Sequence, residues 1–208
     1  MRLVLIRHGE SDHASRGIIA DVAGCTGLTE RGTMQARALV GRLRTTGELA
    51  ECGTLLSSPV LRARQTAEIL APALPSSAIE EDDTLCEVRP GAADGLSWEA
   101  YRATYGRFDL LTSPRRPFAP GGESWVEFID RVRTVHQRIA DRFAGQTVVA
   151  VTHAGFVVAS LLVLFDIPRP GTGASLEPSY TSLTEWRLSG TTWTLVRYND
   201  TAHLIYHH

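Results

Sequence analysis

The sequence has 208 residues, of which 43% are hydrophobic and 21% charged, with a net charge of −2; these are the proportions of a globular protein with an apolar core. Such a balance gives no positive field to attract nucleic acid or an anionic membrane, and no stretch is long enough to cross a bilayer. All 21 basic residues are arginine, which excludes lysine Schiff-base chemistry and a lysine phosphate loop and leaves arginine to bind anions.

The cysteine pattern indicates the redox environment of the protein. Cys25, Cys52 and Cys86 are odd in number and widely spaced, so they indicate neither a disulfide framework nor a metal site. The first apolar run has only four residues, too few for a signal peptide. We therefore expect a reduced, cytoplasmic protein.

The first half of the chain alternates short apolar runs with helical patterns. LVLI at 3–6 predicts a buried strand, and Thr29 predicts the N-cap of a helix over 29–46. TLLSS at 54–58 predicts a second strand. The next helix should open with Ser58 as N-cap and proline at its first position, and end near residue 71.

The second half repeats this alternation after an irregular segment. Residues 88–123 are rich in Gly, Pro and Arg and predict a short helix only near 97–105. A capping box at Ser124 then opens the longest helix. TVVAVT at 147–152 predicts a buried strand, which a helix follows.

The last two strands are predicted at 181–188 and 192–199. They alternate in hydrophobicity around Ser189-Gly190, which predicts a hairpin. Strands that alternate with helices indicate a three-layer α/β/α sandwich with a mainly parallel central sheet. We predict a single domain over 1–208, with 88–123 as a lid-like insertion covering the active site.

Cationic residues follow three of the predicted strands. Arg7 and His8 follow the first, Arg62 lies in the first turn after the second, and His153 follows the strand at 147–152. Ligands of open α/β sheets bind at the carboxyl ends of the strands, where helix N-termini also offer N–H groups to anions. The sequence therefore predicts a phosphate pocket at this edge.

Six segments extend this prediction to a family. The sequence resembles the histidine phosphatase superfamily, which contains cofactor-dependent phosphoglycerate mutases and many phosphatases. The segments that carry the resemblance are IRHGES (6–11), GLTERGTMQAR (27–37), SSPVLRARQTAEIL (57–70), LCEVRPGAADG (85–95), PGGES (120–124) and VTHAGF (151–156).

The resemblance implies a catalytic set. His8 would attack phosphorus and form a phosphohistidine, while Arg7, Arg62 and His153 hold the phosphoryl oxygens. Glu87 would protonate the leaving oxygen and then deprotonate water, with Asp94 as the second candidate acid. No metal and no cofactor are expected.

Substrate contacts are less uniform. The family carries an asparagine where this chain has Ala14, so Ser15 or Arg16 is a candidate replacement. We interpret His13 as solvated and Glu10 as structural support. The residues expected to contact substrate are Arg7, Arg62, His153, Ser15, Arg16, Thr26, Ala154 and Arg89, and the aromatic residues that could wall the pocket are Trp98, Tyr101, Phe108, Phe118 and Trp125.

Together these features predict a phosphomonoester hydrolase that acts on a small phosphorylated metabolite. A mutase-type phosphotransferase is the alternative, although the insertion is short and free of lysine, which favours a phosphatase. A non-catalytic module that binds phosphorylated ligands is a third reading, but the catalytic set is complete. The oligomeric state is left open, with a homodimer through the C-terminal hairpin edge as one arrangement.

Overall fold

One sheet forms the centre of the molecule. The computed structural model describes residues 1–76, 78–107, 112–167 and 175–204. Within these ranges the sheet has six strands, which are β1 (Arg2–Arg7), β2 (Cys52–Ser57), β3 (Ile79–Glu81), β4 (Thr147–Thr152), β5 (Leu183–Ser189) and β6 (Thr192–Asp200).

The strand order is β3-β2-β4-β1-β5-β6. The first four strands of this order pair in parallel, β5 pairs antiparallel with β1, and β6 pairs antiparallel with β5. The prediction of a mainly parallel sheet is confirmed. β1 and β4 lie at the centre and are buried on both faces, which explains why they read as unbroken apolar runs. The strand β3 was not predicted, because its three residues IEE carry no apolar pattern and it forms only by pairing with β2.

The described α-helices are α1 (Asp12–Ser15), α2 (Glu30–Thr46), α3 (Leu61–Leu70), α4 (Trp98–Tyr105), α5 (Trp125–Arg142) and α6 (Ala154–Leu164). The short helix α1 was not predicted, and the others end close to the predicted positions. Thr29 caps α2 by accepting a hydrogen bond from the backbone of Gly32, and Ser124 forms the predicted capping box with Glu127.

The prediction for the start of α3 was wrong. The helix begins at Leu61 after an extended Val60, so Ser58 is not its N-cap. The hydroxyl of Ser58 instead lies 2.9 Å from His153 Nε2 and 3.3 Å from Cys86 Sγ. The Ser58 side chain therefore makes tertiary contacts and does not cap the helix, as the local pattern had predicted it would.

Helices cover both faces of the sheet, as the three-layer prediction required. Leu3 and Leu5 of β1 pack into a cluster with α5 and α6. Val4 and Ile6 point the other way, into a cluster with α2 and α3. This alternation follows from the two-residue period of a strand.

The insertion at 88–123 has an apolar cluster of its own. Tyr101 of α4 is buried at its centre and donates a hydrogen bond of 2.8 Å to the carbonyl of Phe118. Ile19, from the loop after α1, joins the same cluster. The insertion is thereby held against the loop that follows β1, at the carboxyl edge of the sheet.

Candidate active site

His8 stands directly after β1 and is held by its backbone and its ring. Its N–H donates to the carbonyl of Thr152 at the end of β4, at 2.9 Å. Its Nδ1 lies 2.7 Å from the carbonyl of Gly9, so Nδ1 carries the proton. Nε2 then carries a lone pair, which can accept a hydrogen bond or attack an electrophile.

The turn after His8 is packed too closely for a side chain at Gly9. A Cβ there would collide with the carbonyl of Gly32, at the start of α2. The N–H of Gly9 donates to Thr66 Oγ1 at 3.0 Å, which ties the turn to α3. Glu10 accepts a hydrogen bond of 2.9 Å from Thr29 Oγ1, a contact consistent with structural support.

Arg62 reaches His8 from the first turn of α3. Its Nε donates to His8 Nε2 at 3.1 Å, and a terminal nitrogen donates to the carbonyl of Ala20 at 3.0 Å. The side chain is buried, and among the described residues no carboxylate lies within 4.0 Å of its nitrogens. A buried cation at a helix N-terminus is unfavourable unless an anion accompanies it.

Arg7 is likewise unmatched by a carboxylate in the described chain. One terminal nitrogen donates to the carbonyl of Pro178 at 2.5 Å, and its guanidinium carbon lies 3.8 Å from the centroid of the Tyr180 ring. Its Nε is buried and finds no partner among the described residues. Tyr180 was not predicted as part of the site, because it is contributed by the loop before β5 and no local motif marks it.

His153 completes the cluster from the end of β4. The centroids of the His8 and His153 rings are 5.1 Å apart. His153 Nε2 bonds Ser58 Oγ, while its Nδ1 is buried without a partner in the described part of the chain. One buried nitrogen of Arg7 and one of His153 are thus without a hydrogen-bond partner among the described residues.

Glu87 lies at the N-terminus of α6. Its Oε2 accepts from the N–H of Gly155 at 2.8 Å, and its Oε1 from Val88 at 3.1 Å. A Cβ at position 155 would collide with this carboxylate, so glycine leaves it room. Asp94, the second candidate acid, is instead used to close a loop, where it accepts hydrogen bonds from the backbone of Asp21, Ala23 and Gly24.

The surroundings of both histidines disfavour protonation. Burial, followed by the charges of Arg62 and Arg7, holds the pKa of His8 well below its usual value. Burial and the charge of Arg62 lower the pKa of His153 in the same way. At neutral pH the site therefore presents a neutral nucleophile among fixed positive charges.

His8 and its neighbouring arginines open into a cavity of about 280 Å³. The predicted residues Arg7, His8, Arg62, Glu87 and Ala154 line it, as do Trp98 and Phe118. Tyr101 packs behind Phe118, Trp125 packs on Phe128, and Phe108 lies outside the described residues.

Five predicted substrate contacts do not line this cavity. His153 lies behind it, against His8 and Ser58. Three others bond to Asp12, whose carboxylate accepts from Arg16 and Thr26 and whose carbonyl accepts from the Ser15 hydroxyl. The fifth, Arg89, forms an ion pair of 2.9 Å with Asp83.

The interpretation of His13 as solvated is wrong. His13 is buried and lines the cavity, with its Nε2 3.4 Å from the Ser11 hydroxyl. Burial and the charge of Arg62 lower its pKa to about 4, so the ring is neutral at physiological pH. Sequence gave no signal for this, because only the fold brings the insertion over α1.

Two further observations concern metals and membranes. Within the described ranges, no cluster of three or more His, Cys, Asp or Glu side chains is arranged to hold a metal ion. None of the described helices combines the length and apolarity needed to span a bilayer.

The chain is similar to known proteins in both sequence and structure. Residues 3–201 match the histidine phosphatase superfamily (branch 1). The chain is 30% identical over 207 residues to phosphoglycerate mutase-like protein 4 of Arabidopsis thaliana, covering 97% of this chain and 86% of that one. It is 28% identical over 210 residues to the metal-independent phosphoserine phosphatase of the same plant, covering 97% and 82%. The structure of YhfR from Bacillus stearothermophilus matches with a TM-score of 0.84 at 27% identity, covering 98% of both chains.

Proposed function

This chain belongs to the histidine phosphatase superfamily, and on that premise we propose that it hydrolyses phosphate monoesters with His8 as the nucleophile. It is a histidine-type phosphatase that acts on small phosphorylated metabolites, in line with its phosphoserine phosphatase relative. The observation that carries the assignment of the residues is the unprotonated Nε2 of His8 beside two arginines without carboxylate partners in the described chain.

In the first step His8 Nε2 attacks phosphorus and the ester P–O bond breaks. The hydrogen bond from Nδ1 to the carbonyl of Gly9 keeps the attacking nitrogen aimed and stabilises the positive charge that develops on the ring. Arg7, Arg62 and His153 hold the phosphoryl oxygens, whose charge they balance through the transition state. The product is a phosphohistidine and an alcohol.

Glu87 serves both steps as the proton carrier. Each of its oxygens accepts one backbone hydrogen bond and keeps a second lone pair for a proton. As an acid it protonates the leaving oxygen, and as a carboxylate it then takes a proton from water. The water oxygen bonds to phosphorus, the P–N bond breaks, and neutral His8 and phosphate result.

A mutase-type transfer is the alternative. It would require the cavity to retain a dephosphorylated acid and to exclude water. The cavity carries no cation beyond Arg7 and Arg62 among its described lining residues, so nothing in that lining holds the carboxylate of such an acid. This supports hydrolysis over transfer.

The cellular compartment and the oligomeric state are also part of the proposal. Cys25, Cys52 and Cys86 are free thiols, which suits the reducing cytoplasm. A homodimer through β6, the edge strand of the sheet, stays a prediction.

The function is tested by trapping the intermediate. Wild-type protein mixed with an aryl phosphate and quenched in base should carry one phosphoryl group that acid removes, as a phosphohistidine does. His8→Asn keeps the size and polarity of the side chain but should carry none and lose at least about 1,000-fold in kcat/KM. Turnover by a folded His8→Asn protein at the wild-type rate would refute the nucleophile, and a phosphoryl group that survives acid would point to another residue.

A further inference from the structure

The active-site cavity has two chemically different ends. At one end lie Arg7, His8 and Arg62, which would hold the phosphoryl group. The loop after α1 and the insertion contribute the apolar part of the lining, which we call the apolar end. It consists of Ile18, Ile19, Val88, Pro90, Trp98 and Phe118.

No cation is available at this apolar end among the described lining residues. Arg16 and Arg89, two arginines expected to contact substrate, are paired with Asp12 and Asp83. Neither lines the cavity. A carboxylate on the leaving group would thus lose its hydration without gaining an ion pair, which is costly.

The two titratable groups beside the apolar end add to this discrimination. His13 is neutral at physiological pH, so it contributes no positive charge. Glu87 lines the same cavity and, as a carboxyl group, cannot pair with an anion there.

We propose that the substrates of this phosphatase are phosphate monoesters whose leaving group is uncharged and largely apolar, such as an aromatic or branched-chain alcohol. The inference rests on the proposed function and narrows its substrate class. The cavity volume of about 280 Å³ lies at the lower limit of ligand sites, which suits a phosphate with one ring or a short branched chain. Trp98 and Phe118, 5.9 Å apart between ring centroids, offer aromatic faces for such a group.

The test compares two esters that differ in charge. In 4-carbamoylphenyl phosphate and 4-carboxyphenyl phosphate, the amide and the carboxylate have nearly the same shape. We expect kcat/KM to favour the amide by about 30-fold or more, the ratio that corresponds to about 2 kcal/mol of transition-state stabilisation. Equal values, or a preference for the carboxylate, would overturn the proposal.

Two variants at Trp98 test whether the lack of positive charge at the cavity wall causes this preference. Trp98 lines the cavity but is 42% exposed, so its replacement leaves the core intact. Trp98→Leu keeps the wall apolar and should preserve the preference for the amide within about threefold. Trp98→Arg adds a cation and should reduce the preference by about tenfold. Identical preferences in the two folded variants would show that charge at this wall does not set specificity.

The controls separate this inference from the function on which it rests. If wild-type protein hydrolyses neither ester, or if His8→Asn hydrolyses both at the wild-type rate, the proposed function fails. If wild-type protein forms the phosphoenzyme with both esters at equal rates, the function stands and the apolar substrate class is wrong.

Discussion

The strand β1 begins and ends with arginine, and the two residues have opposite surroundings. Arg2 forms a bidentate pair with Glu185, with N–O distances of 2.7 and 3.0 Å. Arg7 has a carbonyl and an aromatic ring as neighbours and no carboxylate within 4.0 Å among the described residues. The same residue type thus serves the fold at one position and the ligand at the other.

Each arginine belongs to a larger group. The paired group consists of Arg2, Arg42 and Arg197 with Glu48, Glu185 and Asp200, and its ion pairs are 2.6–3.0 Å long. The unpaired group is Arg7 with Arg62. Because arginine keeps its proton even when buried, the unpaired group can be neutralised only by an anion. An arginine left without a carboxylate is therefore better evidence of a phosphate site than the abundance of arginine.

The strongest way to break this comparison is to remove an unpaired arginine. Arg62→Met should lower kcat/KM by about 1,000-fold or more, because the charge on the transferring phosphoryl group loses a partner. The melting temperature without ligand should not fall, since an uncompensated buried charge is gone. Phosphate should raise the melting temperature of the wild type more than that of the variant. A variant that is less stable but fully active would place Arg62 with the structural group.

A smaller effect comes from His136, a buried ring whose charge can be removed by deprotonation. Burial lowers its pKa to about 4, whereas the unfolded chain binds the proton near pH 6.5. The unfolded state therefore gains protons first, and stability falls as pH drops from about 6.5 towards 4. The contribution of His136 to this loss should be about 2 kcal/mol between pH 7.5 and 5.

Urea unfolding of wild type and His136→Gln at the two pH values measures that contribution, because the remaining histidines are common to both proteins. The variant should show the shallower pH dependence. Equal slopes would mean that the folded protein accepts a charge at this position. A buried histidine would then keep its charge in the folded protein, as a buried arginine does.

The smallest effect is expected in the paired group. Asp200 accepts hydrogen bonds from Arg42 and Arg197, and the first of these holds its pKa below the usual range. Asp200→Asn should cost about 1 kcal/mol of unfolding free energy, because the network is partly exposed and Glu48 still neutralises the arginines. Its kcat/KM should stay within about twofold of wild type. A loss of activity at constant stability would connect this network to the site.

Sequence reasoning succeeded where local patterns decide the structure. The apolar runs at β1 and β4 and the capping box at Ser124 act within a few residues, so the sheet and the longest helix were predictable. The carboxyl edge of the sheet then brought His8 and His153 together.

Sequence reasoning failed where a residue far away in the chain determines the contacts of a side chain. Ser58 is taken by a histidine 95 positions away, and Tyr180 reaches Arg7 from the far end of the chain. His13 is buried and shares a cavity wall with Trp98 and Phe118, which follow it by more than 80 residues, and no pattern around α1 indicates that neighbourhood. Sequence patterns also do not reveal whether an arginine forms an ion pair, because its partner can be distant in the chain. Glu185, for example, lies 183 positions from Arg2.

The hydrogen bond from Arg62 Nε to His8 Nε2 has a consequence for timing. In the resting molecule it occupies the lone pair that must attack phosphorus, so the nucleophile is held out of use. A phosphate dianion is a stronger acceptor for the guanidinium than a neutral imidazole. We therefore expect that binding of the phosphoryl group turns Arg62 towards its oxygens and frees the lone pair of His8 for attack.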